Sequence, residues 1–429
     1  LVNETLEAAK GLVEARESAG RYYTIQNVTV SGRYTLSVQT AGQDIVDSPF
    51  PIFVQYDEIS QENCGVTGTG ADIALAGEQS TLFVQARDRF GNNRTAEITP
   101  FDAELAFCSN NSHVPCTPEA AAAAAKSLEM VFLSASEGMS AFVYTTTVAG
   151  TYELRITSYG DAVAGTPRPL PVRPAPTHAP SCEITSYPDE GSLTYPQGVF
   201  AGGGADVGIA TYDRYKNARE VGGDEFVVLV VGNESLSAHV VDHGDSTYNA
   251  LFNVTVSGVH LVSIKFDGAH IGGSPRNLLI RPAAIDPSKC RPSGPGTYGA
   301  AVGATNRFQI QARDRFGNKR DESDGHFLTR FFVDTLLDPY RGDPPPKNFT
   351  SSYLGSTHPE PRYQPGLYEM AYNLSEAGNY IMTTEFEGQR IIQGWLRIYV
   401  EPAPVYPPAC VATGAGISDT VAGSETFLL

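Results

Sequence analysis

The chain is short of positive charge: 30 Lys and Arg stand against 48 Asp and Glu in 429 residues, a formal net charge of −18. Nor do Lys and Arg gather into long runs, and without such clusters a polyphosphate backbone cannot be neutralised, so sustained nucleic-acid contact is excluded. Long apolar runs are missing too. Nothing approaches the roughly 20 residues that cross a bilayer, and Leu1-Val2-Asn3-Glu4 opens with neither a basic nor an apolar leader. The segment is expected to insert into no membrane by itself, and its start reads as truncated. Cys occurs six times with no Cys-x-x-Cys pair. His-Glu-x-x-His, an EF-hand loop, a phosphate loop and a nucleophile elbow are all lacking, and Gly202-Gly203-Gly204 has no following Lys. The scattered His178, His239 and His243 complete no ligand set, even with Asp242 and Asp245 nearby. No cofactor, metal or catalytic site is therefore expected.

What the chain does have is 41% hydrophobic residues, 42 Gly and 29 Pro, enough apolar material for about three or four domain cores. It also repeats itself. Ala86-Arg87-Asp88-Arg89-Phe90-Gly91-Asn92 returns as Thr211-Tyr212-Asp213-Arg214-Tyr215-Lys216-Asn217 and as Ala312-Arg313-Asp314-Arg315-Phe316-Gly317-Asn318. A Gly-x-aromatic or Gly-x-His strand start recurs at Gly32-Arg33-Tyr34, Gly150-Thr151-Tyr152, Gly258-Val259-His260 and Gly378-Asn379-Tyr380, at intervals of 118, 108 and 120 residues. Cys64, Cys182, Cys290 and Cys410 keep the same three intervals. Residues 1–56 are thus expected to be the back half of one unit, 57–174, 175–281 and 282–401 three complete units, and 402–429 the start of another.

Period-two alternation dominates each unit, as in Tyr34 to Val38, Phe83 to Ala86, Phe226 to Val230 and Phe308 to Ala312, which predicts half-buried strands. Tyr159-Gly160, Asp267-Gly268 and Gly388 place tight turns before the last strand. About seven short strands in 110 or so residues make an all-β sandwich pattern. One short helix is expected at Glu119 to Lys126. Pro169, Pro171, Pro174 and Pro176 at one boundary, and Pro402, Pro404, Pro407 and Pro408 at another, stiffen the linkers, so an elongated rod is expected. In the recurring motif, Asp88, Asp213 and Asp314 are expected to open a turn by accepting backbone N–H bonds. Gly91 with Asn92, and Gly317 with Asn318, supply positive φ, while Asn217 follows Lys216 instead. Acid/base catalysis by these Asp is set aside, since copies in every unit serve what every unit must do.

These motifs, together with the Ser-Pro or Thr-Pro endings at Asp47-Ser48-Pro49, Gly165-Thr166-Pro167 and Gly273-Ser274-Pro275, resemble filamin-type immunoglobulin-like repeats. Gln393-Gly394-Trp395 departs from that ending. The resemblance implies tandem sandwiches that act by spacing and by surfaces, and an edge strand that accepts a partner's extended peptide. Phe101 to Phe107, with the insertion that follows it, is the expected edge, either used in this way or protected by glycans and the loop that Cys108 and Cys116 close. Extracellular arrays of this sort resemble attachment proteins of plant and algal gametes and algal surface glycoproteins, including those of cilia.

Compartment is read from sequons and cysteines. Asn-x-Ser/Thr occurs at Asn3, Asn27, Asn93, Asn110, Asn233, Asn253, Asn348 and Asn373, an excess that favours an extracellular route with N-linked glycans. Cys108 and Cys116 bracket a short loop that a disulfide can close. Cys64, Cys182, Cys290 and Cys410 read either as buried thiols or as intermolecular bridges. Arg341-Gly342-Asp343 resembles an integrin-attachment tripeptide but sits in a Pro-rich loop beside Asn348, and its Arg and Asp are expected to solvate that loop rather than to act in adhesion. The expected protein is a non-enzymatic secreted or cell-surface array whose partners are copies of itself or another surface protein. The alternative is a cytoplasmic cytoskeletal or ciliary scaffold.

Overall fold

The computed structural model of the protein describes residues 12–14, 23–25, 27–95, 99–114, 116–117, 127–322, 325–334, 349–350, 352–354, 366–417, 421–425 and 427. The expected helix at Glu119 to Lys126 falls outside the described residues. Backbone contacts divide the chain into two compact units, 1–183 with 210–225 and 242–247, and 184–209 with 226–241 and 248–429.

In the first unit, two sheets face each other. One runs Val131–Ser136, Met139–Tyr144, Ser80–Gln85, Gly65–Thr67. The other runs Ser127–Glu129, Asp102–Ser109, Gly150–Ser158, Arg168–Arg173, Ala74–Leu75. Ser80–Gln85 shows why the pattern forms a sandwich: Leu82 and Val84 are buried while Thr81 and Phe83 are only half so, which directs one face inward. Leu105, Phe142, Leu154, Ile156, Leu170 and Val172 join that core. The same unit holds the pair Gly32–Leu36 and Phe50–Val54.

Asp102–Ser109 is paired on both sides, to Ser127–Glu129 and to Gly150–Ser158. The expected free edge at Phe101 to Phe107 is therefore corrected: residues beyond the insertion return as a strand and cover it.

The second unit repeats the arrangement. A sheet ordered Val199–Phe200, Arg276–Arg281, Gly258–Phe266, Phe226–Val231, Ser235–Ser237 is followed along the chain by two more. These are Arg291–Ser293, Asn306–Gln311, Leu367–Tyr372, Ser352–Leu354, and Gly299–Ala301, Gln389–Glu401, Gly378–Phe386, Phe327–Val333, Phe349–Thr350. Phe308, Ile310, Phe331, Tyr368, Met382 and Ile398 lie in the core between the last two sheets. In both units a short strand lies parallel to the final long one, at Ala74–Leu75, Val199–Phe200 and Gly299–Ala301, whereas long strands such as Gly258–Phe266 and Arg276–Arg281 pair antiparallel. The turns at Tyr159-Gly160, Asp267-Gly268 and Glu387-Gly388 have positive φ at both residues, the twist-matched hairpin form. The architecture is an all-β series of immunoglobulin-like sandwiches.

Candidate interface between repeats

The recurring aspartates organise a loop. Asp88 Oδ1 accepts the N–H of Phe90 and of Asn92, each at 2.9 Å. Its Oδ2 accepts the Asp57 N–H at 2.9 Å and the Asn92 side-chain amide at 2.8 Å. Asp213 holds Tyr215, Asn217 and Ala175 in the same way, and Asp314 holds Phe316, Asn318 and Ala283. All three carboxylates are 0% exposed. With four donors each they are saturated as acceptors, which leaves them no acid/base work. Burial pushes the Asp88 carboxyl up, but the hydrogen bonds from Asp57, Asn92 and Phe90 outweigh it and hold it below the usual range.

The asparagine at the motif's end faces outward from its own loop. Asn92 Nδ2 donates to the Thr29 carbonyl at 2.8 Å, and its Oδ1 accepts the Ser31 N–H at 2.9 Å. Asn217 makes the same pair with Thr147 O and Ala149 N, at 2.8 and 2.9 Å, and Asn318 with Thr255 O and Ser257 N, at 2.8 and 3.0 Å. A side-chain amide thus pairs with the preceding segment's backbone as a peptide group does in a sheet, once at each of three places. The contacted loop is the one just before Gly32, Gly150 and Gly258. Sequence reasoning gave these Asn a turn role only, because their partner is backbone and leaves no mark in the sequence.

Two further contacts recur. The motif aromatic packs on a glycine: a Cβ on Gly77 would lie 2.1 Å from the Tyr215 hydroxyl, and one on Gly202 2.3 Å from Phe316 Cζ. Arg219 Nη1 donates to the carbonyls of Pro174 and Ala175, and Arg320 Nη1 to those of Pro282 and Ala283, which ties each of these segments to its motif loop. The loop receiving the asparagine is held by the strand-start tyrosine. Tyr34, Tyr152 and Tyr380 donate to Val30, Val148 and Glu376 carbonyls at 2.8, 3.0 and 3.1 Å. Where His260 replaces tyrosine, Glu234 takes over and accepts the Thr255 N–H at 2.9 Å, its hydroxyl at 3.1 Å and the Val256 N–H at 3.3 Å. Those bonds, the Thr255 N–H first, hold the Glu234 carboxyl below the usual range.

Cys108 and Cys116 are joined as a disulfide, with Cα atoms 5.4 Å apart. The loop they close reaches Glu220, which accepts the Ser112 N–H at 3.0 Å and the Ser112 hydroxyl at 2.6 Å, with His113 Nε2 at 3.4 Å. Cys64, Cys182 and Cys290 are free and buried, Cys410 free and exposed, and each donates to the carbonyl four residues back. Burial raises the first three thiols above the ordinary value.

Asn27, Asn93, Asn110, Asn233, Asn253 and Asn373 are all exposed. Asn3, Asn348 and Arg341-Gly342-Asp343 lie outside the described residues. The outer sheet face of the second unit carries an apolar patch: Val227, Leu229, Val231, Val259, Leu261 and Leu279 are exposed, with Val231 opposite Leu261 and Val259 opposite Leu279, and with Lys265, Ser263 and Asn277 among them. The corresponding face of the first unit carries the Arg155, Glu104 and Glu153 ion pairs instead. Among the described residues no cluster of three or more His, Cys, Asp or Glu could hold a metal, and no helix is long and apolar enough to cross a membrane.

Residues 191–277 match the model of the Filamin/ABP280 repeat family. Filamin-C of Mus musculus and of Rattus norvegicus are each 24% identical over 288 residues, 66% of this chain but only 9% of the relative's own length. Among solved structures, the Escherichia coli adhesin FdeC aligns at 16% identity and a TM-score of 0.46, over 81% of this chain and 99% of that one. The Lin-41 filamin domain aligns at 20% identity and 0.22, over 27% of this chain and 98% of that one. Residues 191–277 are thus matched as a filamin-type immunoglobulin-like repeat, and the chain carries the same motif before and after them.

Proposed function

We propose that this chain is part of a secreted or cell-surface glycoprotein in which repeats 57–174, 175–281 and 282–401 act as a stiff spacer or filament-building array. The observation that carries the reading is the asparagine pairing, made three times with the same atoms, which turns a string of sandwiches into a jointed series with defined joints. The extracellular assignment is supported by six exposed sequon asparagines and the Cys108 to Cys116 disulfide. Surface roles of the plant and algal kind, on a cell wall, a cilium or a gamete, fit it. Protein contacts are placed on the apolar face around Leu229 and Leu261. A second copy is the occupant this face suits, because a chain of net charge −18 repels its copies generally, whereas the exposed side chains of Val227, Leu229, Val231, Val259, Leu261 and Leu279 bring no carboxylate.

Endoglycosidase treatment of the protein isolated from its own cells tests the assignment. A fall in mass by several glycans is expected; an unchanged mass overturns it. In that event the second reading stands, a cytoplasmic or ciliary scaffold of filamin type, which the three buried free thiols favour.

A further inference from the structure

Every described sequon from Asn27 to Asn253 sits beside a contact between successive segments. Asn27 and Asn253 lie two residues before Thr29 and Thr255, whose carbonyls receive Asn92 and Asn318. Asn93 follows Asn92 directly. Asn110 is two residues before Ser112, which is 9% exposed and bound to Glu220. Asn233 precedes Glu234, the carboxylate that holds the Thr255 loop. These asparagines are free to carry sugar where they stand. A glycan is attached through Nδ2, and at Asn93 it is Oδ1 that is engaged, accepting from Arg87 at 3.2 Å. The pairing asparagines themselves are spared. The second residue after Asn92, Asn217 and Asn318 is Arg94, Arg219 or Arg320, so none of the three is a sequon, and their Nδ2 groups are spent on Asp and on the neighbouring carbonyl.

We propose that N-linked glycans on Asn27, Asn93, Asn110, Asn233 and Asn253 form collars around the inter-repeat joints and shield the linkers from proteases. This rests on the secreted reading above. A glycan is bulky and hydrated, so at these loops it occludes the linker backbone around residues 56–58, 174–177 and 281–284. It leaves the hydrogen-bonded asparagine pairing intact. Ser112 adds an order of events: its hydroxyl is occupied by Glu220 in the folded protein, so Asn110 is modified before that loop docks.

The test uses the glycosylated protein from its own cells. Site-resolved peptide mapping after glycosidase release should show Asn27, Asn93, Asn110, Asn233 and Asn253 occupied. Limited proteolysis of the native protein, with and without enzymatic deglycosylation, should then show linker cleavage accelerated at least tenfold by sugar removal, with cleavage inside the sandwiches unchanged. A double variant, Asn233→Gln with Asn253→Gln, should expose the 281–284 linker alone. Glycans present but absent from these five sites, or occupied sites with unchanged linker cleavage, overturn the collar and leave the secreted reading intact. A protein without any glycan overturns both.

Discussion

The joint built around Asn217 and the joint built around Asn318 share one set of bonds and differ in everything added to it. Both have the saturated Asp, the outward amide, the aromatic on glycine and the arginine on the linker carbonyls. Most of these bonds run to backbone, which any sequence supplies. The additions are side chain to side chain: Ser112 and His113 on Glu220 in the first joint, Arg281 with Asp321 and Glu322 in the second. The shared part defines a joint; the additions tune it.

The largest effects should come from the shared part. Asp213→Ala and Asp314→Ala each strand three backbone or amide donors plus a linker N–H in a buried place, so each should cost about 4 kcal/mol by urea denaturation. If one variant is nearly neutral, the two joints are not the same device. Next is close approach. Gly77→Ala and Gly202→Ala push a methyl into Tyr215 and Phe316, and both glycines have positive φ, so about 2 kcal/mol is expected at each. Hydrogen exchange should localise the loss: Ala149 N–H for the first, Ser257 N–H for the second, with the cores protected.

The additions should separate the joints. Reducing Cys108–Cys116 with a dithiol frees the loop that carries Ser112, and so should raise exchange at the Ser112 amide while leaving Ser257 unchanged. Acid should loosen the Thr255 loop of the second joint. A carboxyl whose folded value lies below its unfolded one, about 4.3 for Glu, adds stability that is complete above that pH and is lost as pH falls through the folded value. Glu234 is such a group. Below pH ~4 the Thr255 and Val256 amides should lose protection, and Glu234→Gln should reproduce the loss at neutral pH. Equal acid loss at Ala149, whose loop Tyr152 holds, would remove Glu234 from the explanation.

The fold was legible because its signal is local. Alternation in Phe226–Val231 and Ser80–Gln85, and the positions of Gly160 and Gly268, follow from the pleat and from turn sterics. The aspartate's turn was legible for the same reason, since Asp88 bonds residues two and four ahead. What Asn92, Asn217 and Asn318 touch was not, because a carbonyl about 60 or 70 residues earlier looks like any other. Gly77 and Gly202 were hidden likewise: a glycine's missing Cβ tells of a close neighbour only once the neighbour is seen. Phe101 to Phe107 was misread as an edge because its cover, Ser127–Glu129, lies beyond an insertion that interrupts the pattern.

The smallest difference between the joints is one residue. Lys216 holds φ at 67° where Gly91 and Gly317 have 84° and 88°, a conformation that costs a side chain about 1 kcal/mol. Its ammonium donates to the Ser181 carbonyl at 2.9 Å and to Glu183 at 2.6 Å, an exposed pair that returns about 0.5 kcal/mol. Lys216→Gly relieves the strain but loses that pair and loosens the unfolded chain, so thermal denaturation should place it within about 0.5 kcal/mol of the parent. The reverse changes should not balance. Space is open around both Gly91 and Gly317, so Gly91→Lys carries the strain alone, about 1 kcal/mol. Gly317→Lys carries more, because Arg291 follows Cys290 where Glu183 follows Cys182, and the new ammonium meets a like charge. Raising salt should narrow the gap between those two variants. If Gly317→Lys is the milder one, the residue after the cysteine does not govern what the turn tolerates.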